Sequence, residues 1–201
     1  MFAPEKHYRR SIRLKEYDYA RNGAYFVTVC AYNHQCLFGE IVNGEMQLRK
    51  FGQIVYDEWL QTAQLRSNVV LDVFIVMPNH FHTILIINND DDGRGLLPYA
   101  PATFRSPSQT VGAIVRGFKS TATKKINEMR NTPGLEVWQR NYYEHIIRNE
   151  NQRNLIRQYI VNNPLKWGFD RENPANVGAY SNTPLQDELQ TILEGNGNGK
   201  I

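Results

Sequence analysis

Residues 24–32, Ala-Tyr-Phe-Val-Thr-Val-Cys-Ala-Tyr, are dense in aromatic and β-branched side chains and predict a strand opened by Gly23. Glu40–Leu48 alternates apolar and polar positions about Asn43-Gly44, the dipeptide best suited to a tight hairpin. From about Arg49 to Leu65 the period lengthens. Phe51, Ile54, Val55, Trp59 and Leu60 recur at helical spacing. Val70–Val76 and Phe81–Ile87 return to strand-like runs joined at Met77-Pro78-Asn79, where Pro78 fixes φ and offers no N–H. About twenty residues of turn formers and acids follow, including Asp90–Asp92, Pro101 and Pro107; a loop of that length is usually mobile or functional. A helix capped by Ser108 is predicted next, with Val111, Ile114, Val115, Phe118, Ala122 and Ile126 as its apolar stripe and Asn131-Thr-Pro-Gly as its stop. Tyr143–Ile147 reads as a strand. The last predicted helix opens at Asn149, places Leu155, Ile156, Tyr159 and Ile160 on one face, and closes at Pro164.

The order strand, helix, strand, strand, helix, strand predicts an α+β fold of the ferredoxin-like βαββαβ kind. Its antiparallel sheet has helices on one face, plus an appended C-terminal helix carrying Tyr159. Three stretches divide the chain: a basic arm over 1–22, a folded domain over 23–168, and a tail over 169–201. Asn, Pro and Gly dominate the tail, and its end is expected to be disordered.

Composition narrows the class. With 201 residues, 41% hydrophobic and 21% charged, the chain suits one soluble domain with extensions. No apolar run approaches the ~20 residues that span a bilayer. No apolar segment follows the basic N-terminal residues as a secretory signal requires, so a cytoplasmic location is expected. Cys30 and Cys36 are too few for a disulfide framework and lack zinc-site spacing. A net charge of +3 permits nucleic-acid binding without demanding it.

Candidate chemistry starts at His80-Phe81-His82. In a strand the two imidazoles share a face and Phe81 takes the other, which makes either a bidentate metal grip or a pair of half-buried histidines. Tyr159 and Asn163 lie four apart, one turn from each other on a helix; they are a phenol with a polar oxygen ligand beside it, or a core tyrosine and a helix C-terminal residue. A phenol has a pKa near ~10 and is a poor nucleophile at neutral pH unless a cation lowers the cost of its charge. Tyr142 and Tyr143 are adjacent in a predicted strand, so they face opposite sides and read as core or base-stacking residues. His145 is a third metal ligand or, beside Glu144, a structural histidine, and the second reading is favoured. Phosphate contacts are expected from Arg9, Arg10, Arg13 and Lys15 of the arm, from Arg116 and Lys119 on the second helix, and from Arg140 and Arg148.

A set of motifs occurs in one order: Arg10-Ser-Ile-Arg-Leu, Tyr17-Asp-Tyr19, Tyr25-Phe-Val-Thr28, Val76-Met-Pro-Asn-His-Phe-His82, Phe118-Lys-Ser120, Trp138-Gln-Arg140, His145-Ile-Ile-Arg148 and Tyr159-Ile-Val-Asn-Asn-Pro164. Together they resemble the single-tyrosine HUH transposases, nearest to the branch associated with repetitive extragenic palindromes, from about Arg10 to Gly168. The resemblance implies a ferredoxin-like catalytic domain and Mg²⁺- or Mn²⁺-dependent cleavage of hairpin-bearing single-stranded DNA. It also implies a 5′-phosphotyrosine intermediate and a free 3′-hydroxyl. By position, His80 and His82 would be metal ligands, Tyr159 the nucleophile and Asn163 the third ligand, where other members use glutamine. Relatives act as monomers or as homodimers. The same sheet topology also serves non-catalytic nucleic-acid-binding modules, but the aromatic signature of RRM domains is absent. A small-molecule metal hydrolase would call for a further acidic or histidine cluster, which the sequence does not display.

Overall fold

The computed structural model describes residues 19, 21–89, 109–170, 172–176 and 184–194. Arg9, Arg10, Arg13, Lys15, Ser108, the Asp90–Asp92 loop and the extreme C-terminus lie outside the described residues. Strand β1 (Gly23–Cys30) is followed by the hairpin β2 (Gly39–Val42) and β3 (Glu45–Leu48), then helix α1 (Lys50–Gln64). Strands β4 (Val69–Val76) and β5 (His80–Ile87) lead to α2 (Val111–Met129), β6 (Tyr143–Ile147), α3 (Glu150–Asn162) and α4 (Pro184–Glu194).

The main sheet has the order β4-β5-β1-β6 with every neighbouring pair antiparallel, which is the expected ferredoxin-like arrangement. The β2–β3 hairpin stands apart as a two-stranded sheet. Its turn places Asn43 at φ 53° and Gly44 at φ 80°, the left-handed pair that a two-residue hairpin needs. Helix α2 is capped by Thr110, whose side chain accepts from the Ala113 N–H at 3.2 Å, and not by Ser108 as expected. Thr110 stands immediately before Val111, where a side-chain oxygen can reach the third helical N–H.

The alternation of β1 and β5 sorts their side chains into two cores. Tyr25, Val27, Val29, Phe81 and Leu85 face α1 and α2, where Trp59 stacks edgewise on Phe81 and Phe118, each with ring centroids 5.0 Å apart. Phe26 and Ile84 point the other way, into Ile156, Tyr159 and Ile160 of α3. Here α3 presents Gln152, Ile156, Tyr159 and Ile160 to the sheet, whereas Leu155 is exposed. The buried face follows the 3.6-residue repeat from Gln152, and Leu155 falls one position off it. Arg157 anchors α3 across the sheet: its Nε donates to both carboxylate oxygens of Asp72 on β4, at 3.0 and 2.9 Å.

Helix α4 was not among the predicted elements. Its Leu189, Ile192 and Leu193 pack beside α3, and Gln152 Nε2 donates to the carbonyls of Ile192 and Leu193 at 3.4 and 3.3 Å. No helix among the described residues is long and apolar enough to cross a membrane.

Candidate active site

Strand register puts the histidine pair beneath α3. On β5 His80 pairs with Cys30 and His82 with Thr28, so both imidazoles lie on the α3 face while Phe81 enters the opposite core. The two imidazole rings are 4.5 Å apart. This end of the sheet is where the last turn of α3 arrives. Tyr159 brings its ring to 5.5 Å from His82 and stands edge-on to Phe26 at 6.2 Å. Asn163 is the C-cap of α3, and backbone in the right-handed helical region carries the chain on into a 3₁₀ segment, Pro164–Phe169. The structure thus gathers His80, His82, Tyr159 and Asn163 at one end of one face, all buried, with His82 and Tyr159 opening onto a cleft of about 450 Å³.

Asn79 sets the state of the pair. Its Nδ2 donates to the carbonyls of His34 and Glu172, at 2.9 and 2.5 Å, which fixes which end of the amide is oxygen. Oδ1 must then accept from His80 Nδ1 at 3.0 Å, so His80 carries its proton there and leaves a lone pair on Nε2. His82 Nδ1 is hydrogen-bonded to Thr28 Oγ1 at 2.8 Å, which leaves its Nε2 for the cleft. Burial pushes the His80 pKa down to about 4, against the raising influence of Glu172. Burial, then the neighbouring His80, holds His82 well below the usual histidine range. Both imidazoles are therefore neutral near pH 7, the form that ligates metals.

Several buried polar atoms beside them have no hydrogen-bond partner: His80 Nε2, both amide atoms of Asn163, and Asp170 Oδ2. Leaving such groups unpaired costs about 1–3 kcal/mol each, more for charged ones, so their convergence marks a place built for something else. The Asn163 amide acts on both neighbours, favouring the protonated form of His80 and the ionised form of Tyr159. Tyr159 itself is pushed above the ordinary tyrosine range, first by burial and then by the charge of Asp170. Asp170 is pushed up to about 6 by burial, against a backbone hydrogen bond from Glu172. Among the described residues, no three His, Cys, Asp or Glu side chains close on one point to hold a metal ion unaided. The donor chemistry still fits a divalent cation, provided the Asn163 amide oxygen joins the two imidazoles.

The remaining expected residues are placed differently. Tyr142 donates from its hydroxyl to Glu144 Oε2 at 2.9 Å and packs against the α1–α2 core, whereas Tyr143 packs with Phe26 on the α3 face. His145 pairs with Phe26 in the sheet and interacts with Gln152, at the far end of α3 from Asn163. Lys119 is occupied internally, its Nζ donating to the carbonyls of Gln139 and Arg140 at 2.5 and 3.1 Å. Arg116, Arg140 and Arg148 are exposed. Asn79, Thr28, Asp170 and Glu172 were not singled out from the sequence. Asn79 read as a turn residue, and the Asp170 segment lay in a stretch without periodicity.

The buried neutral histidines make stability pH-dependent. His80, His82 and His145 all have folded pKa values below the ordinary 6.5, so between that value and about 4 the unfolded chain binds more protons. Stability from these groups is present above pH 6.5 and is lost as pH falls. The raised Asp170 works the other way between 3.8 and about 6, offsetting roughly one of the three. Thermal melts at pH 7, 6 and 5 are expected to show a falling midpoint; a flat profile would contradict neutral burial of the pair.

No protein-family model matches the chain. An uncharacterized protein of Haemophilus influenzae is 44% identical over 169 residues, covering 82% of this chain and 93% of that one. Among solved structures, a REP-associated tyrosine transposase bound to a REP hairpin superposes with a TM-score of 0.51 at 23% identity, over 79% of this chain and 77% of that one. At that identity the likeness establishes the fold.

Proposed function

This chain belongs to the same family as the Haemophilus influenzae protein and is built on the fold of a tyrosine transposase, and from that premise we propose that it is a metal-dependent single-stranded DNA endonuclease and strand transferase. Its substrate would be DNA flanked by a hairpin, and its intermediate a 5′-phosphotyrosine on Tyr159. The observation that carries the reading is the meeting of Tyr159 with two neutral, buried imidazoles and an unpartnered Asn163 amide. A core tyrosine needs none of these neighbours.

His80, His82 and Asn163 would hold the cation, and Mn²⁺ suits two imidazoles better than Mg²⁺ does. When bound, the ion supplies positive charge to the non-bridging phosphate oxygens and lowers the cost of phenolate formation. The rest falls to the chain. Phe26 and His82 fix the Tyr159 ring by edge and face contacts, so its oxygen is aimed before substrate arrives. Burial makes the isolated phenolate costly, which keeps the nucleophile protonated until charge neutralisation is complete. Tyr159 Oη then attacks phosphorus, losing its proton to solvent, while the bond to the 3′-oxygen breaks and that oxygen takes up a proton. The energy of the phosphodiester is kept in the phosphotyrosine, so a second 3′-hydroxyl can reverse the step without ATP. Within one chain Tyr159 stands beside His82. Exposed Arg116, Arg140 and Arg148, with the N-terminal arm, are the proposed phosphate contacts.

The test is a denaturing gel of protein incubated with labelled hairpin-bearing single strands drawn from the repeats flanking the gene. Wild type with Mn²⁺ is expected to give a band of covalent adduct that is lost with chelator and in His80→Ala. Retarded strands on a native gel with no adduct under any metal would leave a binding module and overturn the enzymatic reading.

A further inference from the structure

Between Asn163 and Asp170 the chain inverts the usual order of burial. Leu165 and Phe169 are 70% and 64% exposed, whereas Asn163 and Asp170, flanking the same 3₁₀ segment, are 0% and 4% exposed. Hydrophobic burial alone would turn the leucine and phenylalanine inward and leave the amide and carboxylate in water. Something polar is being served at the inner surface of this segment. Trp167 backs it, its ring 6.0 Å from that of His80.

Asp170 spends one oxygen on the loop, Oδ1 accepting from the Glu172 N–H at 2.7 Å. Its Oδ2 is buried without a hydrogen bond and stands 3.8 Å from His80 Nε2, which is likewise buried and unpartnered. That separation is too long for a direct hydrogen bond. It lies within the ~3–4 Å that separates two donors each ~2.1 Å from a shared cation. The neighbouring carboxylate is engaged elsewhere: Glu172 is paired with His34 Nδ1 at 2.6 Å and hydrogen-bonds the Cys30 thiol. Charge argues the same way. Two neutral imidazoles and an amide leave a divalent ion uncompensated in a buried site, which one carboxylate would half neutralise.

We propose that Asp170, which does not close on one point with both histidines in this structure, moves in to become an anionic ligand of the cation held by His80, so that the ion is approached from the strand side by the histidines and from the 3₁₀ segment by Asn163 and Asp170. The inference rests on the metal-dependent reading above. It adds to the expected ligand set a residue from beyond position 168, and water or phosphate oxygens complete the coordination.

The full-length protein without DNA would be titrated with Mn²⁺, free Mn²⁺ being read by its electron paramagnetic resonance signal, for wild type, Asp170→Asn and Glu172→Gln. Asp170→Asn keeps the acceptor for the Glu172 N–H yet is expected to weaken binding at least ~10-fold. Glu172→Gln is expected to stay within about twofold, as its side chain faces His34 and Cys30. Unchanged affinity in Asp170→Asn, or the loss appearing in Glu172→Gln instead, would overturn the assignment. Should Asp170→Asn not fold, Asp170→Cys loaded with Cd²⁺ replaces it: a thiolate-to-cadmium absorption above that of wild type supports the assignment, and its absence overturns it. Undiminished Mn²⁺ binding in Asp170→Asn alongside a wild-type covalent adduct defeats this inference alone. Asp170-dependent binding without any adduct defeats the strand-transfer reading alone.

Discussion

Tyr159→Phe is expected to abolish the covalent DNA adduct, a loss of about 10⁴-fold or more in cleavage rate, while Tyr142→Phe and Tyr143→Phe retain it. The substitution removes one oxygen and nothing else from the core. The phenylalanine ring can keep the contacts with Phe26 and His82, so the melting temperature should stay near that of wild type. Loss of adduct therefore reports chemistry and not unfolding. The two controls are demanding because Tyr143 also packs on the α3 face with Phe26 and lines the same cleft. Tyr142 has its hydroxyl committed to the buried Glu144 carboxylate, and its loss should cost about 1–3 kcal/mol of stability without touching the chemistry. An adduct surviving in Tyr159→Phe and vanishing in Tyr143→Phe would move the nucleophile to β6 and remove the basis for Asn163 as its neighbour. Mn²⁺ affinity should be nearly unchanged in Tyr159→Phe, separating the nucleophile from the ligand set.

Patterns with a short period were legible in the sequence. The 2-residue alternation that separates His80 and His82 from Phe81 fixes their faces, and register against Cys30 and Thr28 follows once β1 and β5 pair. The four-residue step from Tyr159 to Asn163 is equally local, and it brings both to the His pair because α3 crosses the sheet where Arg157 meets Asp72. Leu155 shows the limit of such reading, since an apolar residue one step off the stripe cannot be told from the stripe by composition. Helix α4 has a local signal that its flanking composition masks. Leu185, Leu189, Ile192 and Leu193 keep helical spacing, yet the surrounding Asn, Pro and Gly outweighed them. Asp170 and Glu172 were not legible at all. Their place beside Cys30 and His80 depends on a 3₁₀ segment folding back across the sheet, a contact between residues 90 or more apart that no local period encodes. Lys119 is expected as a phosphate contact because the exposed parts of its helix are basic. Only the tertiary structure shows its ammonium turned onto two carbonyls.

Asn79→Ala is expected to have the largest effect on stability and metal binding of any substitution outside the proposed ligands, lowering stability by roughly 2–4 kcal/mol and Mn²⁺ affinity by about 10- to 100-fold. Its fully buried amide is the common partner of three elements: the His34 carbonyl after β1, the Glu172 carbonyl after α3, and the His80 ring on β5. Alanine leaves two carbonyls and one imidazole N–H unpaired. It also removes the acceptor that keeps the His80 proton on Nδ1, so Nε2 no longer holds its lone pair toward the site by default. Asn79→Asp separates the two losses. The carboxylate still accepts from Nδ1–H, which should preserve Mn²⁺ affinity to within about tenfold, but it cannot donate to either carbonyl, so most of the destabilisation should remain. Chemical denaturation read beside Mn²⁺ titration distinguishes these outcomes. If the two variants lose affinity and stability in the same proportion, Asn79 acts only as a structural clasp. If Asn79→Asp binds metal like wild type while melting like Asn79→Ala, orientation of His80 is its second role.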